Sequence, residues 1–187
     1  MKIAVVVGST RRAGSACPSP NGCTSTPPSA RMPTSNFDLK PFGLVLLDEE
    51  TVPGAANRQY ERAETRAWSE AVDRFDGFIW VSPEYNHGVP AALKNAFDVL
   101  YPGGTTRPSA SWDTGRTAAC ERPSTGARSS PMRAASSCAP RCPLSSFHDW
   151  TDGVFTPDQR RVRELTTVLD QVVQMTEVLA PLRQPTS

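Results

Sequence analysis

Apolar residues follow two rhythms along this chain. Ile3-Ala4-Val5-Val6-Val7 is a continuous run ending at Gly8, and Phe78-Ile79-Trp80-Val81 is another. Short runs without polar alternation predict strands buried on both faces of a parallel sheet. Phe37-Asp38-Leu39 predicts a further, short strand. Trp68, Ala71, Val72 and Phe75 recur at i, i+3, i+4 and i+7, which gives one apolar face to a helix from Glu61 to Phe75. Asp76-Gly77 ends that helix. Pro90 is suited to the first position of a helix reaching Leu100. Leu165, Leu169, Val172 and Leu179 mark a closing amphipathic helix. Strand, helix, strand, helix in this order predicts an α/β fold with a doubly wound parallel sheet.

Two stretches break the rhythm. Arg12 to Asn36 and Gly103 to Pro143 contain no Val, Ile or Leu and are rich in Pro, Ser, Thr, Ala, Gly and Arg. Such text buries too little apolar surface to offset the entropy of ordering, so irregular or disordered segments are expected at about 12–36 and 103–143. Long structureless insertions are unusual inside a compact domain.

The genetic code offers a sharper reading. Joining the last base of each codon to the first two of the next forces Trp112-Asp113 to Gly, Asp113-Thr114 to His or Tyr, and Cys120-Glu121 to Arg or a stop. The run from Ser111 to Arg122 then permits Val-Gly-Tyr-Gly-Thr-Asp-Gly-Gly-Val-Arg-Ala. The residues before it, from Pro102, permit a strand entering that glycine loop, and Cys138 to Cys142 permit another strand-like start. The same shift from Arg12 to Cys23 permits Gly-x-Val-Gly-Leu-Pro-Val-Ala-Glu-Trp-Val, an amphipathic helix where one is missing. Both stretches therefore read as the right gene in the wrong frame.

With 187 residues, one domain over 1–187 is expected. A net charge of +1 gives no electrostatic reason to expect nucleic acid or an anionic membrane surface as partner. No apolar run approaches a membrane span, and Met1-Lys2 leads straight into a strand-like run rather than a signal peptide, so the expected location is cytoplasmic. All five cysteines, Cys17, Cys23, Cys120, Cys138 and Cys142, fall in the anomalous stretches. Their spacing fits neither a paired zinc site nor a thioredoxin-type pair, and their odd number fits no closed disulfide framework.

Two motifs carry chemistry. Gly8-Ser9-Thr10-Arg11-Arg12 follows the first strand, where doubly wound folds bind ligands at the carboxyl ends of strands. Small residues let the backbone close on an anion, Ser9 and Thr10 add hydroxyl donors, and Arg11 adds a charged fork suited to phosphate. The alternative is an ordinary turn with exposed arginines. The second motif, Ser82-Pro83-Glu84-Tyr85-Asn86-His87-Gly88-Val89-Pro90, follows the second strand. It can present backbone groups to the edge of a planar heterocycle, with Tyr85 as a flat surface nearby. A plain turn before a helix needs fewer special residues than this.

Gly8 to Arg11, and Pro83-Glu84-Tyr85-Asn86-His87-Gly88-Val89-Pro90-Ala91-Ala92-Leu93-Lys94-Asn95, resemble the two flavin loops of the NADPH-dependent FMN reductase family. Trp68-Ser69-Glu70, Phe155-Thr156-Pro157 and the closing helix also resemble it. The resemblance implies a flavodoxin-like domain binding FMN without a covalent bond. Ser9, Thr10 and Arg11 would hold the phosphate, Pro83, Glu84, Tyr85 and Asn86 would border the ring system, and His87 belongs to the same loop. Such enzymes take hydride from NAD(P)H and pass electrons to flavin, quinone, azo-type or other small-molecule acceptors, so no catalytic acid or base is assigned. The resemblance further implies a homodimer or homotetramer, with the helix from Pro90 to Leu100 at the interface. The family's third, glycine-rich flavin loop is absent as written and returns only in the shifted reading around Trp112 to Glu121. The helix after the phosphate loop and an interior strand are expected to be lost as well.

Two other readings stay open. One is a flavodoxin-like electron carrier without catalysis, although such carriers tend to be strongly acidic around the flavin. The other is an inactive product of a frame-shifted gene. Elsewhere, His148 has no second metal-type residue at ligand spacing and is expected to be a loop residue. Asp48-Glu49-Glu50 is expected to be a solvated acidic turn, and Arg160, Arg161 and Arg163 a solvated helix face.

Overall fold

A computed structural model of the chain describes residues 1–11, 34–83, 85–86, 88–100, 109–115, 141–145, 148–152 and 154–182. Strand β1 (Ile3–Val7) lies between β2 (Thr34–Asp38) and β3 (Gly77–Pro83). Next come β4 (Ser109–Gly115) and β5 (Arg141–Ser145), giving a five-stranded parallel sheet in the order β2-β1-β3-β4-β5. Helix α1 (Ala63–Asp73) precedes β3, and α2 (Ala91–Asp98) follows it. A short antiparallel hairpin, β6 (Trp150–Thr151) with β7 (Val154–Phe155), leads into α3 (Gln159–Leu179). The doubly wound parallel sheet expected from the hydrophobic pattern is present.

Successive side chains of a strand point to opposite faces, and β1 and β3 use both. Ile3, Val5, Ile79 and Val81 join Leu144 and the α3 residues Leu165, Val168, Leu169 and Val172 in one apolar cluster. Ala4, Val6, Phe78 and Trp80 join Leu39, Trp68, Phe75, Leu93, Ala96 and Val99 in the other. A continuous apolar run is what a two-sided burial requires, and this explains why β1 and β3 contain no polar alternation.

Trp68 anchors the α1 side. Its side chain is buried, and its indole N–H donates to the Ala96 carbonyl on α2 at 2.8 Å. Phe37 stacks on it at 5.5 Å between ring centroids, and Phe42 meets it edge-on at 5.1 Å. One residue thus ties α1 to α2 and to the segment leaving β2. Nearby, the buried Tyr60 donates its hydroxyl to the Leu100 carbonyl at 3.1 Å, and burial pushes the phenol above its ordinary pKa.

Several expectations change. The interior strand thought lost is present: β4 pairs in parallel with β3 on one side and with β5 on the other. Strand also occupies residues 34–36 and 141–143, where irregular chain was expected. The ladder is made by backbone groups, so a neighbour in register can hold a strand whose side chains argue weakly for it. Pro143 is tolerated because β5 is an edge strand. The amphipathic helix and most of the glycine loop of the shifted reading lie outside the described residues. Pro90 caps α2 rather than opening it, with its carbonyl accepting from Lys94 N–H at 3.0 Å.

The acidic turn does structural work as well as facing solvent. The Glu49 carboxylate accepts from the backbone N–H groups of Glu61 at 3.0 Å and Arg62 at 3.3 Å, capping α1, whose own N-cap side chain makes no such bond. Asp48 pairs through both carboxylate oxygens with Arg62, and that guanidinium holds its carboxyl below the usual carboxylate range. Arg160 pairs with Glu164 one turn on, as a solvated face does. Arg161 differs: it reaches the buried Asp149 at 3.4 Å and Glu164, tying α3 to the segment before β6.

Candidate functional site

In an open α/β sheet, ligands bind outside the carboxyl ends of the strands where the strand order reverses. Here that point lies between β1 and β3, because the chain leaves β1 toward β2 on one side and runs from β3 toward β4 on the other. The two motifs singled out in the sequence follow these two strands. Val7 and Val81 are register partners, and Gly8 N–H donates to the Val81 carbonyl at 2.9 Å, extending the ladder past β1. Beyond it, the Ser9 hydroxyl lies 3.3 Å from the Tyr85 hydroxyl. The turn after Val7 and the turn after Val81 are therefore neighbours on one rim of the sheet.

Gly8 makes this approach possible. A Cβ built there would lie 2.7 Å from Leu93 Cδ2, 3.2 Å from the Val81 carbonyl oxygen and 3.3 Å from Leu93 Cβ. Leu93 is fully buried on α2 and cannot retreat into solvent. Gly8→Ala is expected to destabilise the fold by about 1–3 kcal/mol through overpacking. It should also weaken flavin binding by displacing the first turn, and urea unfolding with flavin titration measures both effects.

Past β3, Tyr85 and Gly88 exchange backbone hydrogen bonds, each N–H donating to the other's carbonyl at 3.0 Å. Asn86 inside this tight turn has φ 50°, a left-handed conformation that Asn tolerates better than most side chains. The turn thereby holds Tyr85 half-exposed and facing the first loop. Of the site residues expected from the sequence, Ser9 is partly buried while Thr10, Arg11, Tyr85 and Asn86 reach solvent. Pro83 is buried at the end of β3. The structure brings Ser9 and Tyr85 together. Glu84 and His87 lie outside the described residues. His148 sits exposed in a turn, and no cluster of metal-ligating side chains occurs among the described residues.

Hydroxyls and a guanidinium beside the end of β1 suit an anion, and the rigid turn beside β3 suits a flat, hydrogen-bonding ring. The two partners are close enough for one ligand carrying both features. The donor types thus fit FMN.

Two roles escaped the sequence. Leu93 is the floor on which Gly8 rests. Asn95, also buried on α2, donates its side-chain amide to the Val45 carbonyl at 2.8 Å and accepts from Leu47 N–H at 3.0 Å. It fastens the segment after β2 to α2, and the only signal for it was a polar residue on the inward face of an amphipathic helix.

Comparison with known proteins identifies the fold and the family. An NAD(P)H-dependent FMN reductase of Schizosaccharomyces pombe is 42% identical over 64 residues, covering 34% of this chain and 32% of that protein. The chain spans about a third of the length of the curated relatives it matches. Among solved structures, the flavoenzyme NAD(P)H:(acceptor) oxidoreductase FerB of Paracoccus denitrificans superposes with a TM-score of 0.57 at 17% identity, over 94% of this chain and 97% of that one. An NAD(P)H:quinone oxidoreductase of Methanothermobacter marburgensis gives 0.57 at 14% identity, over 92% and 97%. These likenesses establish a flavodoxin-like fold. The model of the family described as NADPH-dependent FMN reductase matches residues 1–140, and the chain belongs to that family.

Proposed function

We propose that this chain is an NAD(P)H-dependent oxidoreductase that binds FMN across the turns following β1 and β3 and reduces small-molecule acceptors of the flavin, quinone or azo type. The observation that carries the reading is the contact between the two turns, with Gly8 bonded to Val81 and Ser9 beside Tyr85. Family membership supports it. FMN, when bound, supplies the chemistry by accepting hydride from NAD(P)H and passing electrons on.

The protein's share is binding and placement. Ser9 and Thr10 donate hydroxyl hydrogens to the phosphate, and Arg11 supplies a fixed positive charge. Pro83, Glu84, Tyr85 and Asn86 border the ring, with His87 in the same turn. No side chain is assigned as acid or base. Arg11→Ala is expected to raise the Kd for FMN about 10- to 100-fold, the worth of a charge-assisted hydrogen bond, while riboflavin binding changes little. Quenching of flavin fluorescence reads both.

The net charge of +1 favours an enzyme over a strongly acidic electron carrier. Purified protein supplied with FMN, NADPH and a quinone separates the two. Oxidation of NADPH dependent on FMN supports the enzyme, and FMN binding without NADPH oxidation supports the carrier. Failure to bind FMN at all overturns both.

A second copy of the chain is proposed to pack against the helix from Pro90 to Leu100 and the exposed Val45, Leu46, Leu47 and Val52 beside it, Asn95 tying the backbone of Val45 and Leu47 to α2. This gives a homodimer or homotetramer, and sedimentation equilibrium distinguishes the two from a monomer. The proposed location is the cytoplasm. No helix among the described residues is long and apolar enough to cross a membrane.

A further inference from the structure

The proposed function assigns the phosphate end to the first turn and the ring end to the second. The hydrogen bond between Ser9 and Tyr85 crosses that division. A hydroxyl carries one proton to donate and two lone pairs to accept with. At 3.3 Å only one of the pair can donate, and either direction is geometrically open. A phenol is the stronger proton donor and an aliphatic hydroxyl the better acceptor. Tyr85 therefore donates to Ser9.

Once the Ser9 oxygen accepts from Tyr85, its own proton is left to point elsewhere. That proton is then available to an anion held at the first turn. An accepted hydrogen bond also polarises the Ser9 O–H and strengthens its donation. The tight turn between Tyr85 and Gly88, with Asn86 at φ 50°, holds the backbone that carries the phenol, and Gly8 bonded to Val81 holds the backbone leading into Ser9. Both ends of the bond are thus anchored in backbone that follows the sheet.

We infer that Tyr85 is a positioning residue for the phosphate of the ligand, acting through Ser9, and that it helps the site distinguish a phosphorylated flavin from its unphosphorylated counterpart. The inference rests on the proposed function, and it gives a residue of the ring-side turn a role at the other end of the ligand.

The test is a double-mutant cycle read by quenching of flavin fluorescence, with FMN and riboflavin as probes. Tyr85→Phe keeps the flat surface and removes the hydroxyl. It is expected to raise the Kd for FMN about three- to tenfold, and that for riboflavin by a clearly smaller factor. Ser9→Ala should weaken FMN binding at least as much, and adding Tyr85→Phe to it should cost nothing further, because Tyr85 acts only through Ser9. Three results overturn the inference: equal loss for both flavins in Tyr85→Phe, no change for either, or additive losses in the double variant. Urea unfolding of each variant serves as the control for folding. Wild-type protein that binds neither flavin would overturn the proposed function itself, and the inference with it. Wild-type protein that binds FMN, with Tyr85→Phe binding it equally well, would overturn the inference alone.

Discussion

Re-reading residues 12–36 and 103–143 one base out of register, with every other residue kept, is expected to tighten FMN binding about 100-fold or more. The shifted text after Arg11 carries an amphipathic helical pattern, and a helix starting there would direct its N-terminal N–H groups and partial positive charge at the phosphate, worth up to about 2 kcal/mol. The shifted text from Ser111 to Arg122 supplies a glycine-rich turn that can add further backbone donors, at about 1 kcal/mol each. Together these reach the stated factor at roughly 1.4 kcal/mol for each tenfold. Since β1 and β3 with their turns are in place and β4 and β5 complete the sheet, the gain is expected at the site rather than in the topology. Titration of the two proteins side by side measures it. Equal affinity would mean that the shifted reading adds nothing to the site. Sequencing the gene for compensating single-base insertions and deletions tests the same reading at its source.

Trp68→Ala is expected to be the most destabilising single change, at about 3–5 kcal/mol. The indole is almost fully buried, packs against both Phe37 and Phe42, and satisfies the Ala96 carbonyl. Removing it opens a cavity between α1 and α2 and orphans a buried acceptor. Against a whole-domain stability of about 5–15 kcal/mol, that loss is a large fraction. Trp68→Phe keeps a ring but loses the bond to Ala96, and an intermediate loss is expected. Urea unfolding reads both, and a loss below about 1 kcal/mol in Trp68→Ala would contradict the packing described.

What the sequence disclosed and what it hid divide along physical lines. β1, β3, α1, α2 and α3 were legible because side chains buried on a fixed period leave that period in the text. β4 was not: Ser109–Gly115 has no Val, Ile or Leu, and its place is set by backbone pairing to strands on both sides. The site was half legible. The adjacency of Gly8 and Val81 follows from the doubly wound order, since β1 and β3 must be neighbours at the reversal. The contacts that tune it join residues far apart in the chain and were hidden. Asn95 holds Val45 and Leu47, Leu93 supports Gly8, and Ser9 meets Tyr85. Arg161 looked like one more solvated cation until the fold placed Asp149 beside it.

One ligand spanning both turns is most directly tested by amide hydrogen exchange with and without FMN. Slowed exchange at residues 8–11 and at 85–88 together, saturating at a single FMN concentration dependence, is the predicted result. Protection of one turn alone, or of the two with separate dependences, would contradict a shared site.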